Sequence, residues 1–195
     1  MLISANIDNI EIVVKKIVDD IVVLPTDTLY ALSTSISGPV KRIYEIKERD
    51  ASLPIPIGVS DLNMFESICE VNDIAERLIK KFMPGALTLV LPKKEDIRNI
   101  QNKNIGIRIP NNEFTLNVIK EVGPITLTSA NIHGQEPPVN IRDAEKMLEN
   151  SVELYVDSGV LSGKPSTVIS LVEKPKLIRK GAISWNDIRD VLNGC

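Results

Sequence analysis

The stretch IVVLPTDTLYALS, residues 21–33, decides how the chain is to be read. Ile21 to Leu24 is apolar and the length of a buried strand. Pro25 stops that strand, because it has no amide hydrogen to give to a neighbour. Polar residues follow at once: Thr26 and Thr28 flank Asp27. Such a cluster serves a helix cap or a turn well, and alone it says no more than that.

Outward from this strand, helices and strands alternate. On its N-terminal side Asn6 is placed to cap a helix carrying Ile10, Val13, Val14, Ile17 and Val18 at helical spacing. On its C-terminal side Gly38–Pro39 opens a second helix with Val40, Ile43, Tyr44 and Ile46 on its apolar side. A strand is expected over Ile55–Val59, helices over Asp61–Cys69 and Asp73–Phe82, and strands over Leu87–Pro92 and Ile105–Pro110. Asn112–Val122 reads as a helix closed by Gly123 and Pro124. PITLTSAN reads as a strand running into a turn, and Arg142–Glu149 as a helix. Val152–Asp157, Ser166–Val172 and Lys176–Arg179 are late strands, and Ser184 caps a last helix through Leu192. The pattern predicts one α/β (α+β) domain over residues 1–195, with a twisted, open mixed sheet flanked by helices.

Composition narrows the function. The 195 residues are 43% hydrophobic and 25% charged, enough apolar material for a sizeable core. No apolar run is long enough to span a bilayer, and Asn6, Asp8 and Glu11 break any secretory leader, so a cytoplasmic protein without membrane association is expected. Cys69 and Cys195 read as reduced thiols. With those two cysteines and one histidine, His133, a zinc site lacks ligands, and any metal is expected to be Mg²⁺ carried with phosphates. A net charge of −3 gives no global attraction to nucleic acid.

Polar residues gather just past several strand ends, where ligand sites of α/β sheets commonly form. Lys47 and Arg49 are two apart, so a regular helix would splay them, whereas at a helix end they converge on one anion. Capping the helix dipole explains them equally well. Phe82–Pro92 reads as mainly structural. In IGIRIP, Arg108 interrupts a row of isoleucines, and a charge there needs a carboxylate, a phosphate or solvent, with an internal Asp or Glu as the competing partner. TSANIHGQEPP, residues 128–138, has the hydroxyls, the amide and the free N–H groups of an anion nest. No Walker loop, GxGxxG or GxSxG is present, which excludes a P-loop and a dinucleotide fingerprint. His133 reads as a turn residue.

Taken together, PTDT (25–28), KxRxxxxP (47–54), PGxLT (84–88), xxRxP (106–110), TSAN (128–131), PSTV (165–168) and LxRxGA (177–182) occur once each and in this order. Any one is weak; the ordered set resembles the YrdC-like L-threonylcarbamoyladenylate synthases, in their short, single-domain form. The resemblance runs from about Ile21 to Gly181. It implies a YrdC-like sheet and a nucleotidyltransferase that makes threonylcarbamoyl-AMP and diphosphate from ATP, L-threonine and bicarbonate. That product feeds a tRNA threonylcarbamoyl transferase that completes the N6-threonylcarbamoyladenosine (t6A) modification.

The same resemblance distributes roles. Thr28, Arg108 and Ser166 match threonine-binding positions, with Arg108 on the substrate carboxylate. Lys47, Arg49, Ser129, Asn131 and Arg179 match ATP-binding positions, with Lys47 and Arg49 as charge stabilisers; no nucleophile and no protein ligand to metal is implied. Where many longer members carry Asn-Pro-Leu and then a histidine, this chain has Leu53–Pro54–Ile55 and Gly58. Two rival readings stand beside this one. One is a related enzyme acting on carbamoyl-adenylate or on a threonylcarbamoyl product. The other is a noncatalytic module binding RNA weakly through backbone contacts; 4% aromatic residues argue against base stacking.

Overall fold

Local signals set most element boundaries. Asp61, Asn72, Asn112, Asn140 and Ser184 each accept the backbone N–H three residues ahead, satisfying one of the donors a helix start leaves free. The structure, a computed structural model, describes residues 1–94 and 99–194; Cys195 lies outside them. Cys69 is a free, buried thiol.

The helices are α1 (Ile10–Ile17), α2 (Val40–Ile46), α3 (Leu62–Ile68), α4 (Asp73–Phe82), α5 (Glu113–Val122), α6 (Ile141–Leu148) and α7 (Trp185–Leu192). Asn6 caps a short 3-10 turn, Ile7–Asn9, that leads into α1 rather than α1 itself. The strands are β1 (Leu2–Ser4), β2 (Val22–Leu24), β3 (Ala31–Ser33), β4 (Ile57–Gly58), β5 (Leu87–Pro92), β6 (Asn104–Arg108), β7 (Ile125–Thr126), β8 (Thr128–Ser129), β9 (Leu154–Asp157), β10 (Thr167–Ser170) and β11 (Lys176–Arg179).

The expected mixed sheet is divided into two. One runs β1-β9-β2-β3-β8 and the other β11-β10-β5-β6-β4-β7, each with parallel and antiparallel neighbours. PITLTSAN makes the division: β7 pairs with β4 in the second sheet, and β8 with β3 in the first. Between them Leu127 donates its N–H to Pro56 O.

The five-stranded sheet is covered on both faces. Val22, Leu24, Leu154 and Val156 pack against α1 and α5, while Ile21, Val23, Leu32 and Tyr155 pack against α2 and α6. Helices cover the six-stranded sheet mainly on one face, while at its edge Ile125 of β7 packs with Val118 and Ile119 of α5. Leu87, Leu89, Leu91, Ile105, Ile107 and Ile169 form a core with Phe65 and Ile68 of α3, Leu78 of α4 and Ile188 of α7. Its other face turns toward the loops of the first sheet.

Candidate active site

Side chains alternate along a strand, so β6 sends Ile105 and Ile107 into the core and Gly106 and Arg108 the other way. Register sets Val90 opposite Gly106, and Val168 opposite Thr88. With Pro56 these residues floor a cavity of about 440 Å³. Thr26, Thr28 and Tyr30 line it from the first sheet, joined by Leu127 to Ser129, Ser166, Arg49 and Arg179.

Arg108 is 5% exposed and held from two sides. One terminal nitrogen donates to Asp27 Oδ1 and the other to Thr28 Oγ1 at 3.1 Å. Asp27 Oδ1 also accepts the Asn111 N–H at 3.0 Å. The internal carboxylate therefore exists: Arg108 is not waiting unpaired for a ligand, as the bare strand pattern allowed. Its Nε, however, is buried without a partner. An unmet buried donor costs about 1–3 kcal/mol, and an acceptor brought by a ligand would recover it. Burial pushes the Arg108 pKa down and Asp27 pushes it up, while Arg179 opposes Asp27.

Ser166 is equally buried, and its hydroxyl lies 2.8 Å from Thr88 Oγ1. Arg179 donates to the Ser166 carbonyl from Nε at 3.2 Å and from a terminal nitrogen at 3.0 Å, and that nitrogen also reaches Ser166 Oγ. Gly181 allows this clamp, since a Cβ there would sit 2.4 Å from Pro165 O. Burial first, then the Arg49 charge, pushes the Arg179 pKa down. Two guanidiniums that disfavour each other across one cavity favour an anion between them.

Lys47 and Arg49 part company at the end of α2. The Arg49 N–H bonds to Tyr44 O and the Glu48 N–H to Glu45 O, with Glu48 at φ 49° in the left-handed region. This is a Schellman turn with glutamate where glycine is usual. It sends Arg49 to the cavity wall, where the side chain is braced by Pro54 O. Lys47 goes the other way. It is 2% exposed, and Nζ donates to Ser129 O at 2.6 Å, Asn131 O at 2.7 Å and Asn131 Oδ1 at 3.0 Å. Burial, then Arg49, lowers the Lys47 pKa to about 7. The reading that the two converge on one anion at the helix end is corrected: of the pair, only Arg49 lines the cavity.

Asn131 behaves like Lys47. It accepts from Ser129 Oγ at 2.6 Å and donates to Ile132 O and Gln135 O, bracing the loop from behind while Thr128 and Ser129 reach the cavity. His133 is an exposed turn residue. A histidine has no room at position 58, where even a Cβ would lie 3.2 Å from Leu127 Cδ2.

The cavity residues without a site role in the sequence pattern include Tyr30, Thr88, Val90 and Gly106. Thr88 and Val90 belong to the segment read as structural. The available signal was period two: in LTLVLP the leucines form one row, and Thr88 with Val90 the other. Tyr30 donates to Gly159 O at 2.7 Å and accepts the Ser158 N–H, which ties the DSG turn to the wall.

Among the described residues, the lining of hydroxyls, guanidiniums and apolar groups contains no carboxylate. Among the described residues no group of three or more His, Cys, Asp or Glu is placed to hold a metal. The donor set therefore does not fit a magnesium ion held by the protein.

A twisted two-sheet α/β domain with an arginine-lined cleft between its sheets defines a class, and comparison with known proteins gives the family. Residues 18–181 match the Sua5/YciO/YrdC family model, described as telomere recombination, and the chain belongs to that family. It is 40% identical over 171 residues to the putative threonylcarbamoyl-AMP synthase of Methanocaldococcus jannaschii, covering 84% of this chain and 80% of that protein. It is 34% identical to the threonylcarbamoyl-AMP synthase of Pyrococcus abyssi over 88% of this chain but 53% of that one, so it spans about half of this longer relative. The structure of P. abyssi Sua5 complexed with L-threonine superposes with a TM-score of 0.92 at 32% identity, over 98% of this chain and 61% of that one. E. coli YciO gives a TM-score of 0.80 at 29% identity, over 91% and 89%. Among the described residues no helix is long and apolar enough to cross a membrane.

Proposed function

We propose that this chain is a threonylcarbamoyl-AMP synthase that joins L-threonine, bicarbonate and ATP. One observation carries the reading: Arg108 has a buried, unpartnered Nε beside Thr28 in a cavity that Arg49 and Arg179 also line. A planar guanidinium already fixed by Asp27 and Thr28 presents its remaining N–H groups at a set angle, suited to a carboxylate. Arg49 and Arg179 then receive phosphate oxygens, with Ser129 beside them. The relatives named threonylcarbamoyl-AMP synthase and the threonine complex of P. abyssi Sua5 support the same assignment.

The threonine amine and bicarbonate give a carbamate and water. A carbamate oxygen attacks the α-phosphorus of ATP, and diphosphate leaves with the bond electrons. No enzyme nucleophile is needed. The protein's part is to hold the two anions in line and to stabilise charge in the pentavalent state with Arg49 and Arg179. Magnesium enters as MgATP, part of the substrate. Lys47 and Asn131 act through the loop they brace, not as ligands. The mixed anhydride formed hydrolyses readily, so the cleft favours prompt transfer to a tRNA threonylcarbamoyl transferase.

Diphosphate release tests the proposal. It should require threonine and bicarbonate together, and equal release without threonine would defeat it. Release with carbamoyl phosphate in place of both would favour the related-enzyme reading. Binding of tRNA without any diphosphate release would favour the RNA-binding module.

A further inference from the structure

The turn that holds Arg108 is itself held from two sides. On one side Asp27 Oδ1 and Thr28 Oγ1 take the guanidinium, and Asp27 Oδ1 also accepts the Asn111 N–H. The main-chain carbonyls of Asp27 and Thr28 meet a different partner. They face residues 158–166, the segment that crosses from β9 in the first sheet to β10 in the second. Ser162 Oγ lies 3.1 Å from Asp27 O and 3.2 Å from Thr28 O, so its single hydrogen is shared between them. The Gly163 N–H donates to the same Thr28 O at 3.1 Å. Gly163 has φ 73°, and a Cβ there would stand 2.9 Å from Val139 Cγ1, so glycine lets the chain pass this close. The crossing segment is anchored separately at its ends. The Tyr30 hydroxyl holds Ser158 and Gly159, while Arg179 and the Ala182 N–H hold the carbonyls of Ser166 and Pro165. Ser162, between these anchors, is exposed, so little packing rests on it. What its hydroxyl does is fix the turn.

We propose that Ser162 is a positioning residue for the carboxylate end of the amino acid, acting through Asp27 and Thr28 on Arg108. A guanidinium grips a carboxylate by geometry, and freedom in the two residues that aim it weakens the grip. The carboxylate takes no part in the reaction, so its contact contributes equally before and in the transition state. Loosening that contact raises the KM for threonine and leaves kcat alone. This rests on the reading of Arg108 as the carboxylate anchor.

Three substitutions isolate the hydroxyl. Ser162→Ala removes it, while Ser162→Thr and Ser162→Val share one shape and differ only in having it. Diphosphate release is followed with L-threonine and with L-threoninamide, which lacks the carboxylate charge. Loss of one such hydrogen bond corresponds to about a two- to tenfold change. Ser162→Ala and Ser162→Val should raise the KM for threonine by that factor, with kcat and the KM for ATP unchanged. Both should also narrow the preference for threonine over threoninamide. Ser162→Thr should keep the wild-type values. An unchanged threonine KM in folded Ser162→Ala, or threonine and ATP KM values that rise together, would overturn the inference. Equal threonine KM values in Ser162→Thr and Ser162→Val would do the same, and that pair decides if Ser162→Ala does not fold. A wild-type protein that uses threoninamide as well as threonine, or shows no threonine-dependent release, defeats the reading beneath. A wild-type preference for threonine that Ser162→Val leaves unmoved defeats only this inference.

Discussion

The two faces of the six-stranded sheet come from the same strands, and both carry buried residues, although Val90 and Val168 on the cavity face are only partly buried. Ile107 and Leu89 on one face are fully buried; on the other, Thr88 and Arg108 are 2% and 5% exposed. At these four positions burial does not tell the core from the site. The distinction lies in what remains after hydrogen bonds are assigned. On the core face Thr167, the neighbour of Leu87, is fully paired, donating to Ile183 O and accepting the Ile183 N–H. The cavity face pairs Thr88 with Ser166 and Arg108 with Asp27 and Thr28, and still leaves Arg108 Nε unmet. A small polar remainder in a dry place marks where a ligand completes the structure.

The largest expected effect tests the core face. Ile107→Ala opens a hole among Leu89, Ile57 and their helices, and should cost about 2–5 kcal/mol in urea unfolding. The fraction that stays folded should keep its threonine KM. A large rise in that KM with little loss of stability would mean the two faces are not separable.

Arg108→Lys tests the other face. Lysine keeps the charge near Asp27 but not the planar fork, so threonine binding should weaken about tenfold to a hundredfold, equivalent to about 1.5–3 kcal/mol. Calorimetric titration with threonine in the presence of ATP measures it. Unchanged affinity in a folded variant would assign the arginine to Asp27 alone.

How far each face could be read from the sequence follows from the same difference. The isoleucines of β6 and leucines of β5 announce a core by alternation, and capping residues such as Asn112 and Ser184 announce helix starts within a residue. Arg108 stood out because a charge broke the alternation. Thr88 and Gly106 did not, because a threonine or glycine inside a strand is commonplace until its cross-strand neighbours are known. Those neighbours are far off in sequence, and pairing at that range leaves no local signal. β1 was missed for that reason: three residues owe their strand to β9, some 150 positions away. Lys47 was misplaced because one left-handed residue, Glu48, decides which of two nearby cations turns inward.

Lys47→Met sharpens the contrast between that hidden cation and Arg49. Methionine fills similar space but leaves the carbonyls of Ser129 and Asn131 unpaired, so stability should fall by about 1–3 kcal/mol and ATP use should fall with it. Arg49→Ala, at the half-buried wall, should reduce ATP use with little change in stability. The pH dependence separates them further. Lys47 loses its proton near 7 in the native protein and near 10.5 when unfolded. Between those values the unfolded chain holds more protons, so its contribution to stability rises with pH. Above 7 the neutral amine has two hydrogens for three acceptors, so the loop should loosen even as the burial penalty is relieved. In Lys47→Met the rise in stability above about pH 7 should flatten; an unaltered rise would mean another group titrates there.

The smallest effect concerns the turn that makes Lys47 and Arg49 diverge. A side chain at φ 49° is strained by contact between its Cβ and the neighbouring carbonyl, and glycine is free of that contact. Glu48 is exposed, and none of its side-chain contacts holds the turn: the bonds there are from the Glu48 and Arg49 N–H groups to Glu45 and Tyr44 carbonyls. Glu48→Gly should therefore raise stability by a few tenths to about 1 kcal/mol and leave both cations where they are, so that ATP use is unchanged. Glu48→Val, whose branched Cβ resists the left-handed region, should lower stability and ATP use together. If valine lowers stability but leaves the KM for ATP untouched, the turn does not set the direction of Arg49. The cavity wall would then be held by the Arg49–Pro54 bond alone.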